Sequence, residues 1–516
     1  MRNVFRILLT MVILIFVLLP VVAGGGGQAP STPAAESQAP AATQVPAGPV
    51  TFTMTMNTDP DSLDPHKSSA SLTEQIMLNV FDGLMVPTPQ GGVAPGLAES
   101  YTLSSDGLTY TFVLRPNTYF HNGNPVTMDD VLFSLNRLRG TNGEAKLTSE
   151  LDDVASLTAV DNRTLQITLN KPNSSFIAFM YRAIIPAGYD DHANVPVGAG
   201  PYKFVEYVPQ NRLVLEKFDR YYGASGDIDR VVARIITDAD ARLLALQSGE
   251  VDFTGVSTQR VGEIQSRYNV IEAQANSVFI FGMNNQHPIL SDVRVRQAIN
   301  YALDRQEIID FVFSGYAEEL VSSMSPAMAD YFDASLMGRY DTNLDRARQL
   351  LAEAGYANGF PLTLRISGHS EIYSDAAQVI QQQLAKVGID ITIEVIEWSM
   401  WLSEIYTDRT FETTLIDFTG KLDPYAVLRR YISDFGRNFL NHNDPTYDQV
   451  MESALRSSSA TERTRLYKQA QAILVENVPA AFMADYQFIW AMNPKFTGYT
   501  SYPFFFHDLT KITLAN

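Results

Sequence analysis

Near residue 280 the hydrophobic period of this chain changes, and that change limits the architecture more than any other feature. Before it, apolar residues mostly alternate with polar ones, the period of half-buried strands; after it they recur at helical spacing. Val50 to Met56 reads as a strand. Tyr101 to Pro116 reads as a hairpin turning at Asp106-Gly107, with Tyr110, Phe112 and Leu114 on one face and Thr109, Thr111 and Val113 on the other. Leu157 to Leu169 and Gly200 to Phe218 repeat the theme, and Val231 to Ile236 adds a strand. Helices are expected at Ser71 to Phe81, at Thr127 to Arg137 with Thr127 as N-cap and Asp129 and Asp130 in the first turn, and at Asp238 to Ser248, ended by Gly249.

Beyond residue 280, Asp292 to Phe313 reads as one long amphipathic helix, with Ala298, Ile299, Ala302 and Leu303 on one stripe. Leu344 to Ala354 and Ser374 to Val387 are further helices stopped by Gly355 and Gly388. Ile389 to Ile396 then alternates cleanly, so helix, glycine and strand form an αβ unit. Ala460 to Glu476 is the last long helix, and Ala480 to Leu514 returns to Phe- and Tyr-rich extended sequence. A tail of that kind rejoins the first half. The chain then crosses between two lobes twice; such a pair of crossings makes a hinge, and the gap between lobes is a common ligand site. The expected division is residues 50–282 for the first lobe, 283–480 for the second and 481–516 for the return.

The first residues point to export. Arg2 and Arg6 precede an apolar run from Ile7 to Val22, and Val21-Val22-Ala23 offers small residues before Gly24. Residues 1–23 are a signal peptide or an uncleaved anchor; both give the same extracytoplasmic topology. Residues 24–49, rich in Gly, Pro, Ala, Ser and Gln, cannot bury a core and read as a tether. The chain has no Cys, which excludes disulfides, thiolate metal sites, a Cys nucleophile and a lipid-bearing Cys at the leader. A net charge of −19 argues against binding nucleic acid, which needs a clustered basic face.

Several stretches are recognisable in order: Asp61 to Pro65 (DSLDP), Val80 to Leu84 (VFDGL), Val93 to Ala98 (VAPGLA), Ser105 to Arg115, Phe120 to Val131, Val197 to Tyr202 (VGAGPY), Leu246 to Asp252 (LQSGEVD), Asp292 to Arg305, Leu350 to Gly355 and Arg463 to Leu474. On these, from about Thr51 to about Tyr502, the chain resembles the peptide/nickel-type solute-binding proteins of ABC importers, the group that contains dipeptide- and oligopeptide-binding proteins. Each stretch also has a structural reading. Asp106-Gly107 is a turn in any fold, Gly198 and Gly200 suit positive φ, and Arg294, Arg296, Asp304 and Arg305 suit surface or inter-helix salt bridges.

The resemblance implies an α/β, two-lobed, periplasmic-binding-protein-like fold with a β-rich subdomain inserted at about 81–190. It implies an extracytoplasmic monomer that closes on a peptide or peptide-like small molecule and delivers it to a permease with a cytoplasmic ATPase. The membrane would be touched only through an uncleaved tether, and no cofactor or metal is expected. Hinge closure needs a ligand that binds the closed state about 5.5 kcal/mol better to move a population from 1:99 to 99:1, which contacts from both lobes can supply.

Four segments would converge on the cleft by the same resemblance: Asn57, Thr58 and Asp59; Met283 and Asn284; Glu397 and Trp398 with Trp401; and the loop Asp417, Phe418, Thr419, Gly420, Lys421 to Pro424. Trp398 and Trp401 lie three residues apart, which puts both on one helical face, either in the core or toward ligand. In peptide-binding relatives a Gly-Trp precedes an Asp that pairs with the peptide ammonium. Here Asp417-Phe418 replaces the Gly-Trp, and the Asp position falls on Gly420 or Lys421. A lysine there would repel an ammonium and favour a carboxylate or phosphate, unless it is simply a solvated loop charge. A binder of a non-peptide anionic solute or metal chelate, and a receptor that presents ligand to a membrane sensor, are therefore alternatives.

An extracytoplasmic hydrolase is the rival class. The chain carries no H-E-x-x-H, no G-x-S-x-G and no P-loop, and its seven His are scattered without metal-like spacing. Asp59, Asp61 and Asp64 lack the glycine and distal Glu of a calcium loop and read as a turn.

Overall fold

One strand, Ala480–Met492, is shared by both halves of the molecule. Its first part pairs with Val278–Met283, matching Ala484 to Phe279 and Ala480 to Gly282, and its last part pairs with Phe253–Val256 and Asn269–Gln274. The result, in this computed structural model, is a continuous 12-stranded mixed sheet. On one side of the shared strand lie Val278–Met283, Thr413–Phe418, Phe360–Ser367 and, at the edge, Ile389–Ile396; on the other lie Phe253–Val256, Thr51–Met56, Arg230–Ile235, Arg212–Lys217 and Tyr202–Val208. The structure describes residues 48–141, 145–368, 370–504 and 506–515. The predicted leader, and the predicted tether up to residue 47, lie outside the described residues. From Pro49 onward the chain is one compact unit.

Its apolar interior falls into separate clusters. One runs from Val278 to Ala484, another joins Phe52, Val231 and Phe253 to Met492 and Ile512, and a third, from Leu84 to Ala199, belongs to an inserted subdomain. The insertion is a four-stranded antiparallel sheet, in the order Ala98–Leu103, Thr109–Leu114, Thr164–Leu169, Val154–Ala159, with buried Val131, Leu135 and Leu138 of the helix Met128–Arg139 in the same cluster. That helix begins with the expected Thr127, whose hydroxyl and N–H both donate to the Asp130 carboxylate. The interior changes hands at the crossings, residues 275–277 and 485–487. Asp485 ties the two together: its carboxylate accepts from Ser277 N at 2.8 Å and from the Ser325 hydroxyl.

Three expectations need correction. Asp292 to Phe313 is two helices, Val293–Ala302 and Arg305–Phe313, because Leu303 is extended and Asp304 caps a new start by accepting from Glu307 N. Gly198 and Gly200 do not have positive φ; they are glycine because a Cβ would lie 2.0 Å from Val80 O and 2.6 Å from Asn79 O. Of the charges flagged nearby, Arg294 does pair with Asp292 at 2.6 Å, but Arg296 and Arg305 are buried and donate to backbone carbonyls.

Candidate functional site: a cleft between the lobes

A cavity of about 490 Å³ lies between the inserted subdomain with its neighbouring lobe and the loop that follows strand Thr413–Phe418. That volume suits a small molecule. One wall comes from residues 68–74 and 149–182; the other comes from Gly420 to Arg429 with Arg437, Leu455 and Arg456. Direct contacts join the two walls. Arg429 pairs with Glu150 at 3.1 Å, Ser174 N donates to Leu455 O at 2.9 Å, and Arg456 Nη1 donates to Pro172 O at 2.6 Å. The Ser175 hydroxyl donates to Asp423, which also caps the helix Pro424–Leu428 by accepting from Ala426 N.

The floor of the cleft is anchored to the hinge. Asn276, in the first crossing, has φ of +50°, a conformation that Asn tolerates better than most residues. Its side-chain amide donates to Pro503 O at 2.8 Å and to Lys421 O at 3.2 Å. Gly420 packs directly on it, where a Cβ would meet Asn276 O and Cβ at 2.7 Å. The tightness of this packing requires the glycine and sets where Lys421 begins.

Of the predicted site residues, Gly420 and Lys421 line this cavity. The others are held elsewhere in the frame. Thr58 is exposed, and Asp59 accepts from Tyr207 Oη at 2.6 Å and Gln210 N at 2.8 Å. Met283 is buried in the second-lobe core; Asn284 is buried beside it and donates to Phe411 O at 2.9 Å. Trp398 and Trp401 stack at 5.1 Å, as their spacing suggests. Trp401 is buried and its Nε1–H donates to Thr414 Oγ1 at 2.9 Å, whereas Trp398 is 39% exposed on a separate groove with Glu397, Val395 and Met400. Asp417 accepts from the hydroxyls of Tyr373 and Tyr486, Phe418 lies under the Arg430 guanidinium at 4.1 Å, and Thr419 is half-buried.

Sequence reasoning missed Arg182, Glu74, Ser175 and Arg429. They sit in segments of no distinctive pattern, and only the fold brings them to one cavity. Burial pushes the Lys421 ammonium below the usual lysine range; Arg430, Arg182 and Arg429 push the same way, against Glu74. Burial likewise lowers Arg430 and raises the Asp423 carboxyl. Among the described residues no group of three or more His, Cys, Asp and Glu could hold a metal ion.

The glutathione-binding protein GsiB of Pectobacterium atrosepticum is 29% identical over 466 residues, covering 86% of this chain and 90% of the relative. The ABC transporter substrate-binding protein CtaP of Listeria monocytogenes superposes with a TM-score of 0.82 at 26% identity, over 91% of this chain and all of that one. The periplasmic binding protein DppA of Helicobacter pylori, solved with the peptide STSA, superposes with a TM-score of 0.74 at 27% identity, over 91% of this chain and 98% of that one. The family model of the bacterial extracellular solute-binding proteins, family 5, matches residues 92–439, and the chain belongs to that family.

Proposed function

We propose that the protein captures a peptide or peptide-like small molecule in the cleft and delivers it, outside the cytoplasm, to the permease of an ABC importer. One observation carries this reading: the cavity draws its walls from both sides of the hinge, so a guest there contacts both lobes at once. A ligand touching one lobe alone would not favour closure, because only differential contact shifts a conformational equilibrium. Relatives that are named for glutathione or were solved with a peptide support the solute class. The protein acts as a monomer, held at the membrane through its N-terminal segment or released from it, and it retains its ligand rather than converting it.

Closure is measurable without knowing the natural ligand. Solution scattering of protein unfolded and refolded to strip any guest should give a larger radius of gyration than protein purified with its guest from the host. Equal radii, with a guest present by native mass spectrometry, would defeat the clamp. Incubation with a peptide library should leave every peptide intact and one species retained in stoichiometric amount; turnover would make the protein an enzyme.

A further inference from the structure

Resting on that reading of the cleft, the geometry points to an anionic guest, one whose carboxylate bridges Lys421 of one lobe and Arg182 of the other and which needs no free ammonium.

The chain as a whole carries −19, yet the cavity wall carries six Lys and Arg against five Asp and Glu. The acids are already engaged. Glu74 pairs with Arg182 at 2.6 Å, Glu150 with Arg429 at 3.1 Å and Asp152 with Lys146 at 2.9 Å. Asp153 accepts from Asn173 at 2.9 Å and lies 3.8 Å from Arg456. Asp423 is taken by Ser175 and the helix N-terminus, and burial favours its neutral form. An incoming ammonium therefore finds no carboxylate that lacks a donor.

Three of the six cations are in the opposite state. Lys171, Lys421 and Arg437 line the cavity, and none of them has an ion-pair partner among the described residues. Lys421 is half-buried, and a partly desolvated ammonium without a counter-charge is costly. Arg430, Arg182 and Arg429 disfavour its charge, and only Glu74, already paired with Arg182, favours it.

Position turns this imbalance into a device. Lys421 stands on the loop of the second lobe, beside the crossing at Asn276, and Arg182 stands on the wall of the first. In the closed cleft Lys421 faces the Arg182–Glu74 pair and has no carboxylate of its own. A carboxylate between them gives Lys421 the counter-charge it lacks and accepts from the Arg182 guanidinium as well, so the same group that is bound also favours the shut form. This supplies differential affinity from both lobes, which hinge closure requires.

The test is calorimetry on the mature chain with N-acetyl-Ala-Glu, the same peptide with both carboxyls amidated, free Ala-Ala and inorganic phosphate. The acid should bind, and its diamide should bind about tenfold or more weakly. Lys421→Gln should weaken the acid by about tenfold or more without changing the diamide, and Lys421→Arg should restore most of the loss, with thermal melts showing both variants folded. Equal binding of acid and diamide, no binding by any probe, preference for Ala-Ala, or phosphate binding tighter than the acid would each overturn the proposal. Its failure is separable from failure of the cleft reading. Host-purified protein that releases a neutral or cationic molecule on denaturation, with that molecule photo-crosslinked to cleft residues, removes only the anion. Cross-links outside the cleft remove both.

Discussion

Replacing His507 by Phe is expected to remove about 3 kcal/mol of the stability that the wild-type protein loses between pH 7 and pH 4. His507 is 3% exposed, set edge-on to Phe253 and Trp490, with its Nδ1 2.9 Å from the Tyr499 hydroxyl. Burial pushes its imidazole from 6.5 down to about 3. A histidine depressed in this way is neutral in the fold and charged in the unfolded chain below pH 6.5. The folded state then binds fewer protons, so its contribution to stability is whole above pH 6.5 and is lost as pH falls toward 3. His66 and His192, both buried and pushed by burial to about 4, act in the same direction. Asp82 and Asp485 oppose them. Burial raises each carboxyl to about 7, so they are more at ease protonated and gain as pH falls from 7 toward 4. Urea unfolding of wild type and His507→Phe at pH 7 and pH 4 checks the sign and the size. The variant begins lower at pH 7, because the Tyr499 hydroxyl loses a partner, but its pH dependence is shallower. Parallel pH dependences would show that His507 is not the buried neutral group described.

How much of this was legible in the sequence depends on whether the determinant was local. Thr127 with Asp130, Asp106-Gly107 and the helix stops at Gly249 and Gly355 are set by neighbours within a few residues, and each is found where the pattern placed it. The alternation of Ile389 to Ile396 likewise gave a strand of those bounds. Gly198 was read as a glycine needing positive φ, when the reason is Val80 O, more than a hundred residues away along the chain. Asp304 was read as a salt-bridge charge rather than as a cap, because the apolar stripe on either side continued through it. The cleft shows the same division. Lys421 stood out because it departs from a motif; Arg182 and Glu74, which share its cavity, carry no motif, and only three-dimensional proximity gives them meaning. Tyr373 and Tyr486 reach Asp417 from two further elements, a contact no spacing along the chain could announce.

Arg294 and Arg305 looked alike in sequence, and mutating them should separate them most sharply of all. Arg305→Met is expected to cost about 4 kcal/mol, while Arg294→Met should leave the urea midpoint close to that of wild type. Arg294 is exposed, and its ion pair with Asp292 lies in water, where such pairs contribute little. Arg305 is 3% exposed, and its guanidinium serves four acceptors at once: Leu320 O at 3.1 Å, Phe482 O at 2.8 Å, Tyr340 O at 3.2 Å and Asn300 Oδ1 at 2.8 Å. Phe482 belongs to the strand shared by both lobes, and Leu320 and Tyr340 belong to segments with little backbone pairing of their own. Met fills the space but donates nothing, leaving buried carbonyls without a partner they had. Lys is no rescue, since a single ammonium cannot span acceptors placed for a planar fork, so Arg305→Lys should recover less than half of the loss. Urea midpoints at constant m-value measure all three variants. Equal costs for Arg294 and Arg305 would mean that the guanidinium at 305 does not hold the shared strand to its lobe. The hinge would then have to draw its rigidity from the strand ladder, from Asp485 and Asn276 and from apolar packing.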